Sequence, residues 1–328
     1  MPDQNKYHEP TLLTVTWSRQ WATGNSSSRA RYGGLPTANS TSEPAPPRCV
    51  TKRISISSWL GSATPVPRII DRGAEDGRYY FVEQSAGVSL HDQALAGADA
   101  RGRVPGSLIS AALEVSARLF EAQARNPLPT SQGDIRAWFE HAGFAANVRA
   151  ENPDLDTSRV RDAVEHALHR LRDVPMCHSH LDYGLPNAFP GGVIDWQHHG
   201  GAPLGYDVYP MLDIAAFKGG GKGYRFTPEQ QDAYISGLDE VSTRLAGRPL
   251  NAHQGDFLLV KCFFFLALMR PADPGPHDKH IKWQYRRALF AMGLEQYESS
   301  GAIRTQTFPT LAEFSSRPQQ PINSSPGS

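Results

Sequence analysis

The sequence predicts an α+β protein of two lobes, in which a short β-containing N-lobe precedes a larger, mainly helical C-lobe. Aromatic and β-branched residues flank a glycine-containing turn between residues 67 and 83, and this pattern is typical of a β-hairpin. After Gly87, apolar residues recur at steps of three and four positions, which is the spacing of amphipathic helices. The change of periodicity after Gln84 marks the boundary between the lobes.

The chain of 328 residues is predicted to contain four segments. Residues 1–51 are expected to be a low-complexity, poorly ordered segment, because large apolar side chains are few between residues 23 and 48. Residues 52–84 are expected to form a partial N-lobe, and residues 85–314 the helical C-lobe. Residues 315–328, rich in proline and serine, are expected to be a disordered tail.

The C-lobe shows five helical patterns. Thr227 is a suitable N-cap for one of them, because Pro228 takes the first helical position and Gln230 lies three residues after the cap. An apolar run of 13 residues at 257–269, interrupted by Lys261, is too short to cross a bilayer and is expected to be a buried helix. The five patterns span residues 108–120, 160–171, 227–245, 257–269 and 281–292.

Charge and cysteine content restrict the classes of function. Lys and Arg total 33 and Asp and Glu total 33, so the net charge of zero argues against nucleic acid or an anionic membrane as a partner. The three cysteines are too few for a disulfide framework, and their odd number is typical of a reducing compartment. No export signal or membrane span is visible, so we expect a soluble cytoplasmic protein. The sequence does not indicate an oligomeric state.

The segment 178–210 contains the side chains that indicate chemistry. Asp182 and Asn187 lie on a predicted loop that also holds a glycine and a proline. Asp195 follows a short apolar pair that is expected to be the end of a buried strand. Carboxylate and amide oxygens are hard ligands, and Mg²⁺ takes a few of them together with water and phosphate. A remaining carboxylate is suited to accept a proton or to orient a hydroxyl.

Four motifs follow one another in an informative order. They are Thr-Pro-Val-Pro-Arg at residues 64–68, His-x-Asp-x-x-x-x-Asn at 180–187, Ile-Asp-Trp at 194–196 and Pro-x-x-Tyr-Asp at 203–207. In this order they resemble the motifs of the aminoglycoside phosphotransferase and choline kinase family, whose members have the protein-kinase-like fold. The resemblance covers roughly residues 52 to 297.

This resemblance implies an ATP- and Mg²⁺-dependent phosphotransferase that acts on a hydroxyl of a small molecule, with an abbreviated N-lobe on a protein-kinase-like fold. Asp182 would hold and deprotonate the hydroxyl, and His180 would brace the loop. Asn187 and Asp195 would bind the Mg²⁺ that neutralises the ATP phosphates. The backbone at the end of the hairpin would contact adenine, and the residues concerned are Val82, Glu83 and Gln84.

The N-lobe departs from the family pattern. Lys52 is the lysine at a plausible place for phosphate binding, but it stands only 12 residues before Thr64. Residues 53–60 contain no glutamate to pair with it, and no glycine-rich phosphate loop is recognisable between residues 1 and 49. These departures lead to the hypothesis that phosphotransfer is weak or absent. The alternative function is a catalytically impaired relative that binds a nucleotide or another ligand.

A third interpretation comes from the histidines. His178, His180 and Asp182 have a spacing that resembles the start of the metallo-β-lactamase signature, His-x-His-x-Asp-His. Position 183 is tyrosine where that signature has its last histidine. A metal-dependent hydrolase therefore stays as the third hypothesis.

Other side chains are expected to have structural roles. The phenylalanines at 263–265 and Cys177 are interpreted as core residues. Arg286 and Arg287, on the last predicted helix, are interpreted as residues that cover the surface, since long side chains commonly do this.

Overall fold

The N-terminal part of the protein is a three-stranded antiparallel sheet. The computed structural model describes residues 13–16, 65–75, 78–129, 134–141, 144–217, 224–267 and 277–316. Within them, β3 lies between β1 and β2 in the sheet. The strands are β1 (Leu13–Thr16), β2 (Ile69–Glu75) and β3 (Arg78–Glu83).

The predicted hairpin is confirmed, because β2 and β3 pair along their length with one irregularity between Ile69 and Asp71. β1, in contrast, comes from residues 1–51, which were predicted to be poorly ordered. That prediction is corrected at Leu13–Thr16, where threonine and apolar residues alternate and suit a strand that can pair with β3. The rest of residues 1–64, Lys52 included, lies outside the described residues.

Helices make up most of the remaining chain. Each of the five helical patterns in the sequence corresponds to one of them. In chain order the described helices are α1 (Leu90–Gly97), α2 (Gly106–Arg125), α3 (Ile135–His141), α4 (Phe144–Glu151), α5 (Ser158–Leu171), α6 (Met211–Phe217), α7 (Pro228–Ala246), α8 (Gln254–Ala267), α9 (His277–Ser300) and α10 (Leu311–Ser315).

The boundaries of α7 show how local sequence sets the helix ends. The Thr227 side chain accepts from the backbone of Gln230, and the Gln230 side chain accepts from the backbone of Thr227. This reciprocal pair is the predicted capping box, and Pro228 follows at the first position. The helix stops at Gly247, whose φ of 74° is the left-handed conformation that glycine adopts without a steric penalty.

The hydrophobic core is built around α8, which packs against α4, α5 and α9. Its residues 257–260 are completely buried, and the phenylalanines at 263–265 belong to the same core. Burial of each large apolar side chain contributes about 1.5–3 kcal/mol. The buried helix predicted from the apolar run is therefore confirmed. Among the described helices, none combines the length and the apolar character that crossing a bilayer requires.

Two short antiparallel strand pairs position the segment that carries the predicted chemistry. The outer pair joins β4 (Met176–Ser179) to β7 (Gly200–Pro203), and the inner pair joins β5 (Ala188–Phe189) to β6 (Gly192–Val193). Residues 180–187 form the loop between β4 and β5. Since both pairs are antiparallel, residues 194–199 run back beside this loop.

Candidate active site

The loop between β4 and β5 brings Asp182 and Asn187 together. Asn187 Nδ2 donates to the carbonyl oxygen of Asp182 at 3.0 Å, which closes the loop just before β5. Because the amide nitrogen is used in this bond, Asn187 Oδ1 is the oxygen oriented away from it. Both side chains are half-buried, so each is partly covered by protein and partly exposed to solvent.

Asp195 reaches the same place through the β5–β6 hairpin. Ala188 pairs with Val193, and the amide of Ile194 donates to the carbonyl oxygen of Asn187 at 3.0 Å. Asp195 is the next residue, and its side chain is exposed. The predicted metal ligand Asp195 thus directly follows the residue that pairs with Asn187 across the hairpin.

Backbone strain is concentrated at this site. In the described part of the chain, Leu181 and Asp195 are the two non-glycine residues with positive φ, at 66° and 61°. The left-handed conformation costs such residues about 1–3 kcal/mol and persists where the surroundings impose it. One of these residues directly precedes Asp182, and the other is a predicted metal ligand. The contacts beneath the loop explain how this backbone is maintained.

His180 is one of those contacts. Its side chain is completely buried, and its Nε2 donates to the carbonyl oxygen of Ile194 at 2.7 Å. Burial lowers the pKa of His180, although the nearby Asp207 carboxylate opposes the shift, so we assign a neutral imidazole. The ring also lies 4.9 Å from the ring of Trp196. His180 therefore ties the loop to the residue before Asp195.

This geometry weighs against the hydrolase hypothesis. His180 Nε2 is occupied by a carbonyl oxygen, and Nδ1 is buried with no hydrogen-bond partner among the described residues. Within the described ranges, no three His, Cys, Asp or Glu side chains are grouped so that they could hold a metal ion. His178 is half-buried, and burial lowers its pKa.

Asp207 is the anchor of the loop. It is completely buried, its Oδ2 accepts from the amide of His180 at 2.7 Å, and its Oδ1 accepts from the amide of Leu181 at 3.0 Å. Gln123, on α2, donates to the same Oδ2 at 2.8 Å and to the carbonyl oxygen of His178 at 3.1 Å. A carboxylate that accepts from two consecutive amides sets the direction of the backbone as it enters Asp182.

Lys261 provides the opposite charge for Asp207 from inside α8. Its Nζ lies 4.0 Å from Asp207 Oδ1, donates to the carbonyl oxygen of Tyr206 at 3.3 Å and lies 4.7 Å from the centre of the Tyr206 ring. Both charged side chains are almost fully buried. Breaking a buried ion pair from one side typically costs 3–5 kcal/mol, because the other charge is left without compensation.

The sequence contains a signal for this pair, although no role for it could be predicted from the sequence. Asp207 closes the Pro-x-x-Tyr-Asp motif, and Lys261 interrupts the apolar run of α8. A charge inside a buried helix requires an opposite partner. The sequence alone cannot select that partner, because the two residues meet only through the packing of α8 against the segment after β7.

The structure places the predicted adenine-binding residues in the sheet. Val82 and Glu83 belong to β3, whose backbone faces β1 on one side and β2 on the other. The amide of Gln84 donates to the carbonyl oxygen of Arg68 at 2.8 Å. The Gln84 amide is therefore used in a bond within this part of the fold, while the prediction that residues 82–84 contact adenine stays a prediction.

Two backbone bonds connect this part to the β5–β6 hairpin. The amide of Val193 donates to the carbonyl oxygen of Pro65 at 2.5 Å, and the amide of Gly191 donates to the carbonyl oxygen of Ala86 at 2.9 Å. A Cβ atom at position 191 would lie 2.8 Å from the carbonyl oxygen of Ala86, so glycine is needed for this approach.

Arg286, on α9, is less exposed than its expected place on the surface suggests. It was interpreted as covering the surface, but it is half-buried, and its Nη1 atom is buried with no hydrogen-bond partner in the described ranges. Burial lowers its pKa to about 10, while the Asp182 carboxylate acts in the opposite direction. The guanidinium group therefore stays charged at neutral pH and lies within electrostatic range of Asp182.

A separate cavity of about 400 Å³ lies at the start of α7, next to the chain between α9 and α10. Its walls include Tyr224, Phe226, Thr305 and Phe308. None of its lining residues belongs to the segment 178–210, so this cavity is not the space in front of Asp182.

A comparison with protein families agrees with the motif order. Residues 46–247 match the family model APH, described as the phosphotransferase enzyme family. The match covers more than half of the chain and includes the hairpin, the loop with Asp182 and the segment with Asp195. No curated protein matches the chain.

Proposed function

The chain belongs to the phosphotransferase enzyme family, and from this premise we propose that it transfers the γ-phosphate of ATP, in the presence of Mg²⁺, to a hydroxyl group of a small molecule. The observation that carries the proposal is a pair of hydrogen bonds made by Asn187. Its Nδ2 donates to the carbonyl oxygen of Asp182, and its own carbonyl oxygen accepts from the amide of Ile194, the residue before Asp195. The proposal includes a two-lobed, protein-kinase-like arrangement, in which the three-stranded sheet and the helical part enclose the reactants.

The chemistry of the donors fits Mg²⁺. Asn187 Oδ1 and the exposed Asp195 carboxylate are hard oxygen ligands, and Mg²⁺ commonly uses one or two protein ligands beside water and phosphate. We assign both residues to the metal. When bound, Mg²⁺ supplies positive charge that neutralises the phosphate oxygens.

Asp182 is the residue that we assign to the acceptor hydroxyl. Asp207 and the positive φ of Leu181 impose the direction of the backbone that enters Asp182, so this backbone is oriented before any reactant binds. Phosphoryl transfer requires positioning and charge neutralisation more than covalent chemistry from the protein. A carboxylate at this position can orient the hydroxyl and accept its proton.

The cytoplasmic location predicted from the cysteine content remains part of the proposal. Cys177 and Cys262 are buried free thiols, and burial raises the pKa of both. Buried, protonated thiols of this kind serve as small apolar core residues.

The test is to measure ADP release with Mg-ATP over a panel of hydroxylated small molecules, in parallel with calorimetric binding of Mg-ATP. In Asp182→Asn, we expect turnover to fall by about 10²- to 10⁴-fold while Mg-ATP binding is retained. The control is Asp232→Asn, which removes one exposed carboxylate from α7. Unchanged turnover in Asp182→Asn would remove this residue from the mechanism.

The second candidate is the impaired, nucleotide-binding relative. The observation that favours it is the bond between the amide of Gln84 and Arg68, which uses a backbone donor that was predicted to face adenine. Under this alternative, the wild-type protein binds Mg-ATP but releases no ADP with any acceptor. If the wild-type protein does not bind Mg-ATP, both candidates fail.

A further inference from the structure

The cavity of about 400 Å³ at the start of α7 has a wall of aromatic rings. Tyr224, Phe226 and Phe308 line it. The rings of Tyr224 and Phe226 meet edge to face with their centres 5.9 Å apart, and the Tyr224 hydroxyl is hydrogen-bonded to His91 Nδ1 at 2.9 Å. The wall is therefore ordered by contacts within the protein, and the volume lies in the range of ligand pockets, about 300–1,000 Å³.

The inner end of this cavity is polar. Gln231 and Thr305 line it and are only 7% and 2% exposed. The Thr305 hydroxyl and Gln231 Nε2 both donate to Asp213 Oδ1, at 2.5 and 3.1 Å. Gln231 Oε1 is buried without a hydrogen-bond partner in the described ranges, and of the described side chains with such an atom, Gln231 is the one that lines this cavity. The inner end therefore offers an acceptor for an O–H or N–H group.

The mouth of the cavity carries two arginines. Arg103 and Arg225 both line the cavity, are exposed and face each other across a parallel backbone bridge. Arg103 Nε pairs with Asp99 Oδ2 at 2.8 Å, whereas the Arg225 side chain has no ion pair or hydrogen bond with the residues that the structure describes. The acidic lining residue Glu313 accepts from the amide of Thr310 at 2.7 Å. Arg225 is therefore the charge that an anion at the mouth would meet.

We propose that this cavity is a binding site for a small aromatic carboxylate with a hydroxyl or N–H group on its ring. The ring lies against the aromatic wall, the donor reaches Gln231 Oε1, and the carboxylate pairs with the guanidinium group of Arg225. An amine in place of the carboxylate would bring a like charge to Arg225. Since the cavity lies outside the segment 178–210, this inference goes beyond the proposed phosphotransfer and does not depend on it.

The experiment is calorimetric titration of the full-length protein without nucleotide. The three probes are 4-hydroxyphenylacetate, which has all the proposed groups, phenylacetate, which lacks the ring donor, and tyramine, which has an ammonium group in place of the carboxylate. The variants are Arg225→Gln and Gln231→Met. The matched control is Arg244→Gln, which removes an exposed arginine from the last turn of α7, away from the cavity lining.

We expect 4-hydroxyphenylacetate to bind the wild-type protein and Arg244→Gln equally, and Arg225→Gln about 10- to 100-fold more weakly, because a charge-assisted hydrogen bond is lost. Phenylacetate should bind the wild-type protein about 2- to 10-fold more weakly than 4-hydroxyphenylacetate. In Gln231→Met this difference between the two acids should disappear, because the acceptor for the ring donor has been removed. Tyramine should show no saturable binding.

Gln231→Met also loses the bond to Asp213, so its Tm is measured first. If this variant does not fold, Arg225→Gln and the comparison with tyramine still decide. Three results would overturn the proposal: no saturable binding of 4-hydroxyphenylacetate, equal affinity of the wild-type protein and Arg225→Gln for it, or tyramine binding as tightly as the acid. Since no ADP release is measured, failure of the proposed function would leave these outcomes unchanged.

Discussion

The loop at residues 180–187 and the three-stranded sheet are maintained by different kinds of contact. Buried side chains hold the loop at residues 180–187 from below, with Asp207 and Gln123 bonded to its backbone. The sheet is connected to the loop region through backbone bonds at Pro65 and Ala86. Large exposed apolar side chains of the described chain, Ile70, Val88 and Leu95, are in the sheet or shortly after it. Under the proposed function, this comparison predicts that the buried contacts beneath the loop position the reacting groups, while nucleotide affinity depends on the less extensively buried sheet.

The largest effect should come from neutralising Asp207, the buried carboxylate that accepts from the loop backbone. Asp207→Asn leaves the Lys261 charge buried without its partner, so we expect the free energy of unfolding to fall by about 3–5 kcal/mol. Turnover should fall as well, because the loop backbone loses a carboxylate acceptor. Urea unfolding and ADP release measure the two effects. The double variant Asp207→Asn with Lys261→Met should recover stability but not turnover. An Asp207→Asn variant as stable as the wild-type protein would contradict the anchoring role of Asp207.

A buried carboxyl group on α6, Asp213, should make stability depend on pH. Asp213 is buried, accepts from Thr305, Gln254 and Gln231, and burial raises its pKa from 3.8 to about 6. The folded state therefore holds a proton that the unfolded state has lost between these pH values. The stabilisation is complete below pH 3.8 and is lost as pH rises to about 6, by about 3 kcal/mol.

The measurement is the free energy of unfolding in urea at several pH values from 4 to 7. The curve of Asp213→Asn should lack this decline with pH. Asp232→Asn, which changes an exposed carboxylate, should keep the wild-type slope. A wild-type slope in Asp213→Asn would show that another group causes the decline.

The bond between Gly191, in the β5–β6 hairpin, and Ala86, just after the three-stranded sheet, can be disrupted by a substitution at Gly191. A methyl group there would lie 2.8 Å from the carbonyl oxygen of Ala86, so Gly191→Ala should cost about 1–3 kcal/mol of unfolding free energy. We expect Mg-ATP affinity to fall while the residual turnover at saturating nucleotide stays close to wild type. Gly106→Ala, where a Cβ atom meets open space, is the matched control. A loss of kcat without a loss of affinity would place the effect in the loop instead.

The smallest effect should come from Asp195, the exposed residue that we propose as a metal ligand. Asp195→Asn keeps the shape of the side chain but removes its charge, so the Mg²⁺ concentration for half-maximal activity should rise by about tenfold or more. The measurement is a Mg²⁺ titration at fixed ATP, with Asp232→Asn as control. An unchanged requirement for Mg²⁺ would remove Asp195 from the metal site.

Local patterns predicted the elements better than they predicted the site. The capping box at Thr227 and the apolar run of α8 depend on neighbouring residues, so both could be recognised in the sequence. The loop motif also placed Asp182 and Asn187 together, since their spacing is short. The four-residue strand β1 was missed because its alternation is too brief without its partner β3.

The supports of the loop could not be predicted in the same way. Asp207 and Lys261 come from distant parts of the chain, and their pairing depends on how α8 packs. Arg286 was interpreted as a surface residue because a helix pattern does not show which side chains a distant loop covers. Contacts of this kind are created by tertiary packing, which local periodicity does not encode.

The two amide bonds to Asp207 have a consequence for motion. They restrict the orientation of the peptide units before Asp182. Under the proposed function, we therefore expect closure around the reactants to come from the sheet, which would rotate about the connection after Gln84. Turnover would then be limited by how quickly this sheet opens to release ADP.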